Sequence, residues 1–76
     1  MNNQRRKQLN DAVELLNQAK NIIENAMNDE QDGFDNLTEG LQQTMRGEAM
    51  QEAVSNLENA MDSIDEAIDA IEEASI

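Results

Sequence analysis

The sequence predicts an all-α protein, an antiparallel helical hairpin with an alanine-rich heptad seam that dimerises into a four-helix bundle. Apolar residues recur at alternating steps of three and four in two segments, which is helical periodicity. The chain has no proline and one aromatic residue, Phe34, which argues against a β-sandwich. All three glycines lie between the two segments, where a connection is expected. At 76 residues the chain is predicted to form a single domain.

The first segment predicts a helix over about residues 5–31. Large apolar residues occupy heptad position a, small ones occupy d, and a third row occupies e. The a row is Leu9, Leu16 and Ile23; the d row is Ala12, Ala19 and Ala26; the e row is Val13, Lys20 and Met27.

The connection is predicted over about residues 32–45, with Gly33 ending the first helix. Thr38, followed by Glu39, resembles the N-cap of a short helical turn, and Thr44 that of the second helix. We expect Phe34 to close the end of the hairpin. Its expected neighbours there are Leu37, Leu41 and Met45.

The second segment predicts a helix over about residues 46–75 and repeats the pattern of the first. Residues 9–27 align with 50–68 without a gap. The a row is Met50, Leu57, Ile64 and Ile71; the d row is Ala53, Ala60, Ala67 and Ala74; the e row is Val54, Met61 and Ile68.

Two features favour antiparallel packing of these helices. The small d row of one helix can receive the large a row of the other, so that the backbones approach closely. Basic residues at 5–7 begin the first helix and acidic residues at 72–73 end the second, each of the wrong sign for its own helix dipole. In an antiparallel pair these ends are neighbours and can offset each other.

Self-association is predicted because a core this small rarely stabilises a chain alone and no disulfide can form without cysteine. The apolar stripe is also wider than the seam of two helices needs. The residues predicted for the oligomer interface are Leu15, Ile22, Val54, Met61 and Ile68. The alternative is a monomer with an exposed apolar flank.

The composition limits the chemistry. Without histidine or cysteine, sites for zinc, copper, haem and iron–sulfur clusters are not expected, and we predict no catalytic residue, no cofactor and no enzyme activity. The net charge of −12 disfavours direct binding of nucleic acids or anionic membranes and favours a basic protein surface. No run is apolar enough for a membrane span, and MNNQRRKQLN lacks the apolar core of a secretory signal, so a cytoplasmic location is expected.

A face of acidic residues runs down the second helix at three- and four-residue spacings. It consists of Glu58, Asp62, Asp65, Glu66, Asp69, Glu72 and Glu73. One interpretation is a protein-binding surface that imitates the charge of DNA. The other is the solvated side of an amphipathic helix. The absence of interspersed lysine favours the first, because solvated faces usually mix signs.

The stretch NDEQDGFDNLTE, residues 28–39, matches the register of an EF-hand calcium loop in part. Its oxygen donors would be Asn28, Glu30, Asp32, Asn36 and Glu39, with Gly33 at the sharp turn. The eighth position should be apolar but is Asp35, and the heptads resume only near Met50. We therefore predict no metal site. Arg46, the last basic residue, is predicted either to neutralise acids at the corner or to contact an anionic ligand or partner.

Residues 31–68 resemble a family of small acidic α-helical proteins of Gram-positive bacteria, their prophages and phages. The shared elements are Phe34-Asp35-Asn36-Leu37, Glu39-Gly40-Leu41-Gln42, Arg46-Gly47-Glu48 and Asn56-Leu57-Glu58. Relatives often carry proline where this chain has Thr38 and a non-glycine residue at Gly33, and a loop that dispenses with this glycine is incompatible with an EF-hand. The family has no established activity, so the resemblance supplies a setting and not a function.

The leading hypothesis is a non-enzymatic interaction module, a phage or prophage inhibitor whose acidic face binds a host defence or nucleic-acid-binding protein. Two alternatives are a homo-oligomer that sequesters a small molecule or cation, and a structural oligomerisation module. The ligand-binding alternative would use Arg46 or the basic residues 5–7.

Overall fold

The computed structural model describes all 76 residues, and the chain folds as a long helical hairpin. Helix α1 spans Asn3–Asp35, the single-turn helix α2 spans Glu39–Gln42, and α3 spans Met45–Ala74. There are no strands. Helices α1 and α3 pack side by side in opposite directions, in a rod whose Cα atoms extend 58 × 15 × 12 Å. The predicted all-α hairpin is confirmed.

Helix α1 continues four residues beyond its predicted end. Asn2 caps its start, where the side-chain oxygen accepts a hydrogen bond from the Arg5 backbone N–H at 2.8 Å. The prediction that Gly33 ends the helix is wrong, because the helix runs on through Gly33 to Asp35. A Cβ at position 33 would lie 3.0 Å from the terminal methyl carbon of Met50 on α3, the flexible end of that side chain.

The corner between the long helices is built from two threonine caps, as predicted. Thr38 caps α2 by accepting from the Leu41 N–H, and Thr44 caps α3 by accepting from the Gly47 N–H, both at 3.4 Å. The Gln42 side-chain amide donates to the Phe34 carbonyl at 3.1 Å. This bond ties α2 to the last turn of α1.

The predicted apolar plug at the corner forms only in part. Phe34 and Leu37 are half-buried, but Leu41 is 52% exposed and Met45 is 86% exposed. The corner is closed by main-chain packing instead, because Gly47 is buried directly against the backbone of Gln42. That contact leaves the side chain of Met45, the first residue of α3, in solvent.

The core lies between the a and e rows of the two helices. Val54 and Ile68, both at position e, are the two buried hydrophobic side chains, each 9% exposed. Every large residue of the a rows is half-buried: Leu9, Leu16, Ile23, Met50, Leu57, Ile64 and Ile71. Two rows of large side chains bury more apolar area than one large row and one alanine row.

The prediction that the alanine row forms the centre of the seam is therefore wrong. Ala12, Ala19, Ala53 and Ala60 lie half-buried at its edge, and Ala26, Ala67 and Ala74 are exposed. The position of the core between rows a and e also corrects the predicted oligomer interface. Val54 and Ile68 belong to the core of the single hairpin and Met61 is half-buried, whereas Leu15 and Ile22 are exposed.

The free ends of the two helices are neighbours, as the antiparallel arrangement requires. The contact is made by Arg6, whose Nε donates to the Ser75 carbonyl at 3.1 Å. Glu72 and Glu73 form no ion pair there, since the protein has a single ion pair, Lys20–Asp65. None of the helices has both the length and the apolar character needed to cross a membrane.

Candidate interaction surfaces

The acidic face of α3 is positioned by the packing of that helix. Because the a and e rows turn toward α1, the b, c and f rows turn away from it, and these rows hold all seven predicted acids. Six of the seven are exposed: Glu58, Asp62, Glu66, Asp69, Glu72 and Glu73. Asp65 is half-buried at the edge facing α1.

Asp65 is the one acid of this face that meets a cation within the chain. Lys20 Nζ donates to Asp65 Oδ1 at 2.7 Å, across the seam from α1 to α3. The hydrogen bond to Asp65 raises the pKa of Lys20, and the negative charges of Asp65, Glu24 and Asp62 act in the same direction, while partial burial opposes them. The six exposed acids have no such partner.

The other predicted site residues are dispersed by the fold. Asn28, Glu30 and Asp32 lie within α1, Asn36 caps its end, and Glu39 begins α2. The sixth position, where an EF-hand loop turns sharply, is helical here. Residues 28–39 therefore do not form an EF-hand loop. No group of three or more acidic side chains is arranged to hold a metal ion. The chain encloses no cavity.

The two residues predicted for the corner have different environments. Phe34 is half-buried, and its carbonyl accepts from the Gln42 side chain. Arg46 is exposed and makes no side-chain hydrogen bond or ion pair. Its guanidinium is left open to solvent.

A second surface was missed by the sequence predictions. Lys20 at position e of α1 pairs with Asp65 at position b of α3, so the e and b rows of both helices share one side of the hairpin. The d and g rows of both helices must then share the opposite side. We call this side the uncharged face, since its central part is made of Ala12, Leu15, Ala19, Ile22 and Ala26 on α1 and Ala49, Ala53, Asn56, Ala60, Ser63, Ala67, Ala70 and Ala74 on α3.

The signal for this face is present in the sequence, in the absence of acids from those two rows over most of both helices. A seam with the alanine row at its middle would bury these residues and leave no such face. Only the position of the core, between rows a and e, shows that several of these alanines lie in solvent.

No protein-family model, curated protein or solved structure matches this chain. The class that the fold itself defines is an all-α helical hairpin with one acidic and one uncharged surface.

Proposed function

We propose that the protein is a non-enzymatic interaction module whose acidic face binds a basic surface on a protein partner. The observation that carries this proposal is the run of six exposed acids on one helix, none of which forms an ion pair within the chain. An ordinary solvated helix gains stability by placing lysine or arginine three or four residues from its acids. Helix α3 has no basic residue after Arg46, so its acids lack this stabilisation by pairs within the helix.

The charge density of this face is that of a nucleic-acid strand. Six exposed acids, none of them in an ion pair, lie between Glu58 and Glu73, a length of roughly 22 Å at the rise of an α-helix. That is about one unpaired negative charge per 4 Å, near the ~3.4 Å spacing of charges along one DNA strand. A protein surface that binds the phosphates of nucleic acid is therefore electrostatically complementary to this face.

A host protein that defends against phage or handles nucleic acid is the kind of partner we propose. The resemblance to proteins of Gram-positive bacteria and their phages supplies the setting, and blocking a basic groove requires no catalytic residue. In this proposal the protein acts by occupying the partner's nucleic-acid-binding surface, in the cytoplasm, without contacting nucleic acid itself.

We also propose that the working form is a homo-oligomer in which two hairpins form a four-helix bundle. The single chain buries only Gly47, Val54 and Ile68, a small core for 76 residues. Pairing of two hairpins would bury more apolar surface without a disulfide or a metal.

The acidic-face proposal is tested by salt dependence combined with neutralising variants. The tagged protein is used to capture partners from a lysate of a Gram-positive bacterium at low and at high salt. The test variant carries Glu58→Gln, Asp62→Asn, Glu66→Gln and Asp69→Asn. The matched control neutralises four acids outside the face, through Asp11→Asn, Glu14→Gln, Asp32→Asn and Asp35→Asn.

The expected result is a partner that the wild type and control retain, the test variant loses, and high salt releases. DNA added as a competitor should displace that partner. Equal retention by the test variant and the control, or a complex that survives molar salt unchanged, would contradict the proposal.

A further inference from the structure

We infer that the uncharged face is the surface on which a second copy of this chain docks, related to the first by a two-fold axis. This inference rests on the self-association proposed above and adds the surface and the residues that would form it. It replaces the interface expected from sequence, because Val54 and Ile68 are already buried within one hairpin.

The distribution of charge selects this face for contact between identical chains. The protein has 17 acidic residues, and on α1 and α3 only Asp29 lies in the d and g rows. Two arginines, Arg5 and Arg46, occupy the ends of the same rows. Contact through any side that includes rows b, c and f would bring carboxylates of the two copies together. The uncharged face is therefore the side on which two strongly acidic hairpins can meet at least electrostatic cost.

The shape of the face is self-complementary. On α1, Leu15 and Ile22 project from a row of alanines and are 64% and 69% exposed. The contacts Arg6–Ser75 and Lys20–Asp65 set the register of the helices. They place Leu15 level with residues 66–70 of α3, and Ile22 level with residues 59–63.

At those levels the d and g rows of α3 contain only small side chains: Ala60, Ser63, Ala67 and Ala70. The face thus has a ridge along α1 and a shallow groove along α3. A two-fold rotation places the ridge of each copy over the groove of the other, which is the pairing that an isologous interface requires. A partner of different sequence would need its own matching ridge and groove, whereas a second copy of this chain has both.

The single chain exposes more surface than a typical folded monomer of its mass, and the excess is similar to the area that one partner buries in a dimer of ordinary size. The single chain exposes 5626 Å². A folded monomer of this mass typically exposes roughly 4,700 Å². The excess of about 900 Å² per chain compares with about 800 Å² buried per partner in a standard interface.

Self-association through the uncharged face and partner binding through the acidic face should depend on salt in opposite directions. Acids of row c, including Glu52, Glu66 and Glu73, border the uncharged face and would approach their counterparts across the dimer. Salt screens that repulsion, so self-association should persist or strengthen as salt increases. Capture of a basic partner should weaken under the same change.

The test is the mass of the intact chain by sedimentation equilibrium, at micromolar to millimolar concentration and at two salt concentrations. Leu15→Glu and Ile22→Glu each place one negative charge on the uncharged face. Met45→Glu is the matched control, because it adds the same charge at an apolar residue that is 86% exposed and lies outside the face. Circular dichroism establishes that all three variants keep the helical hairpin, as expected for exposed positions.

The inference predicts twice the monomer mass for the wild type and Met45→Glu, and a monomer or at least a tenfold weaker dimer for the two other variants. A wild type that stays monomeric throughout would overturn both this inference and the proposed self-association. An oligomer that Leu15→Glu and Ile22→Glu leave intact would overturn the assigned surface alone. A mass of three or more chains would overturn the two-fold pairing. None of these outcomes depends on the acidic-face partner.

Discussion

The backbone of Gly47, in the first turn of α3, packs directly against the carbonyl group of Gln42 at the end of α2. A Cβ placed on residue 47 would lie 2.6 Å from the Gln42 carbonyl carbon and nearer still to its oxygen. Real Cβ atoms do not approach backbone atoms so closely, so any side chain there must displace one helix. Glycine is required at this position by proximity and not by dihedral angle, since no residue of the chain has positive φ.

Gly47→Ala is therefore expected to destabilise the hairpin, even though alanine is the better helix former. Overpacking of this kind typically costs about 1–3 kcal/mol, against a gain in helix propensity of about 1 kcal/mol. Urea unfolding followed by circular dichroism measures the change in the free energy of unfolding. Gly40→Ala is the matched control, because a Cβ on Gly40 meets nothing within 4 Å. Equal stability of the two variants would show that α2 and α3 can move apart at the corner without a cost in the free energy of unfolding.

Ile68→Ala is expected to destabilise the protein by about 2–3 kcal/mol, near the lower end of values for core isoleucines. Ile68 is one of the two buried hydrophobic side chains, but it retains 9% exposure, so the neighbouring side chains can partly close the space. The control is Ile76→Ala, the same substitution at a residue that is 90% exposed. Thermal and urea unfolding of both variants measure the difference. A cost at residue 76 similar to that at residue 68 would mean that the assigned core is wrong.

The hairpin and its two threonine caps could be predicted from sequence because they depend on local signals. Thr38 and Thr44 each precede a turn of helix and supply a side-chain acceptor, and the apolar period of 3.5 residues defines both long helices. The prediction that α1 ends at Gly33 is wrong, because glycine ends a helix only where the chain turns, and here the helix continues to Asp35.

The side of each helix that faces its partner could not be predicted, since rows d and e both flank row a. A seam on a and d and a seam on a and e differ by a rotation of each helix about its own axis, and the apolar pattern permits both. The choice depends on the summed burial of large side chains, to which Val54 and Ile68 contribute more than the alanines. The location of the uncharged face depends on that choice, so the absence of acids from rows d and g identifies an exposed surface only once the packing of the helices is known.

Arg6→Ala is expected to loosen the free end of the hairpin. Arg6 Nε donates to the carbonyl of Ser75, the C-cap residue of α3, and no residue of α3 can satisfy that carbonyl. Loss of such a bond costs about 1 kcal/mol. Hydrogen exchange at the last turn of α3 should accelerate in this variant. Arg5→Ala is the control, since the Arg5 side chain makes no bond and both substitutions remove one positive charge. Arg6→Ala also removes an exposed bond within α1, from Arg6 Nη1 to Asn3 Oδ1 at 3.3 Å, which does not involve α3. Equal acceleration in the two variants would assign the effect to charge and not to the hydrogen bond.

The pair Lys20–Asp65 predicts how stability depends on pH in the alkaline range. Its hydrogen bond raises the pKa of Lys20 in the folded protein, so the folded state holds this proton more tightly than the unfolded chain does. The stabilisation is present in full below the unfolded pKa of about 10.4 and is lost as pH rises through the higher folded value. The chain has two lysines and no tyrosine or cysteine, so an alkaline titration is simple to assign.

Asp65→Asn should lower the pKa of Lys20, measured from the chemical shift of its side-chain carbon next to Nζ between pH 9 and 12. The same variant should flatten the fall in urea midpoint over that range, because the folded and unfolded chains then hold the proton about equally. Asp69→Asn is the control: it removes the same charge one turn along α3, from a residue that does not act on Lys20. If Asp65→Asn left the Lys20 titration where it is in the wild type, the cross-seam bond would not exist in solution. The register of α1 against α3 would then need to be established anew.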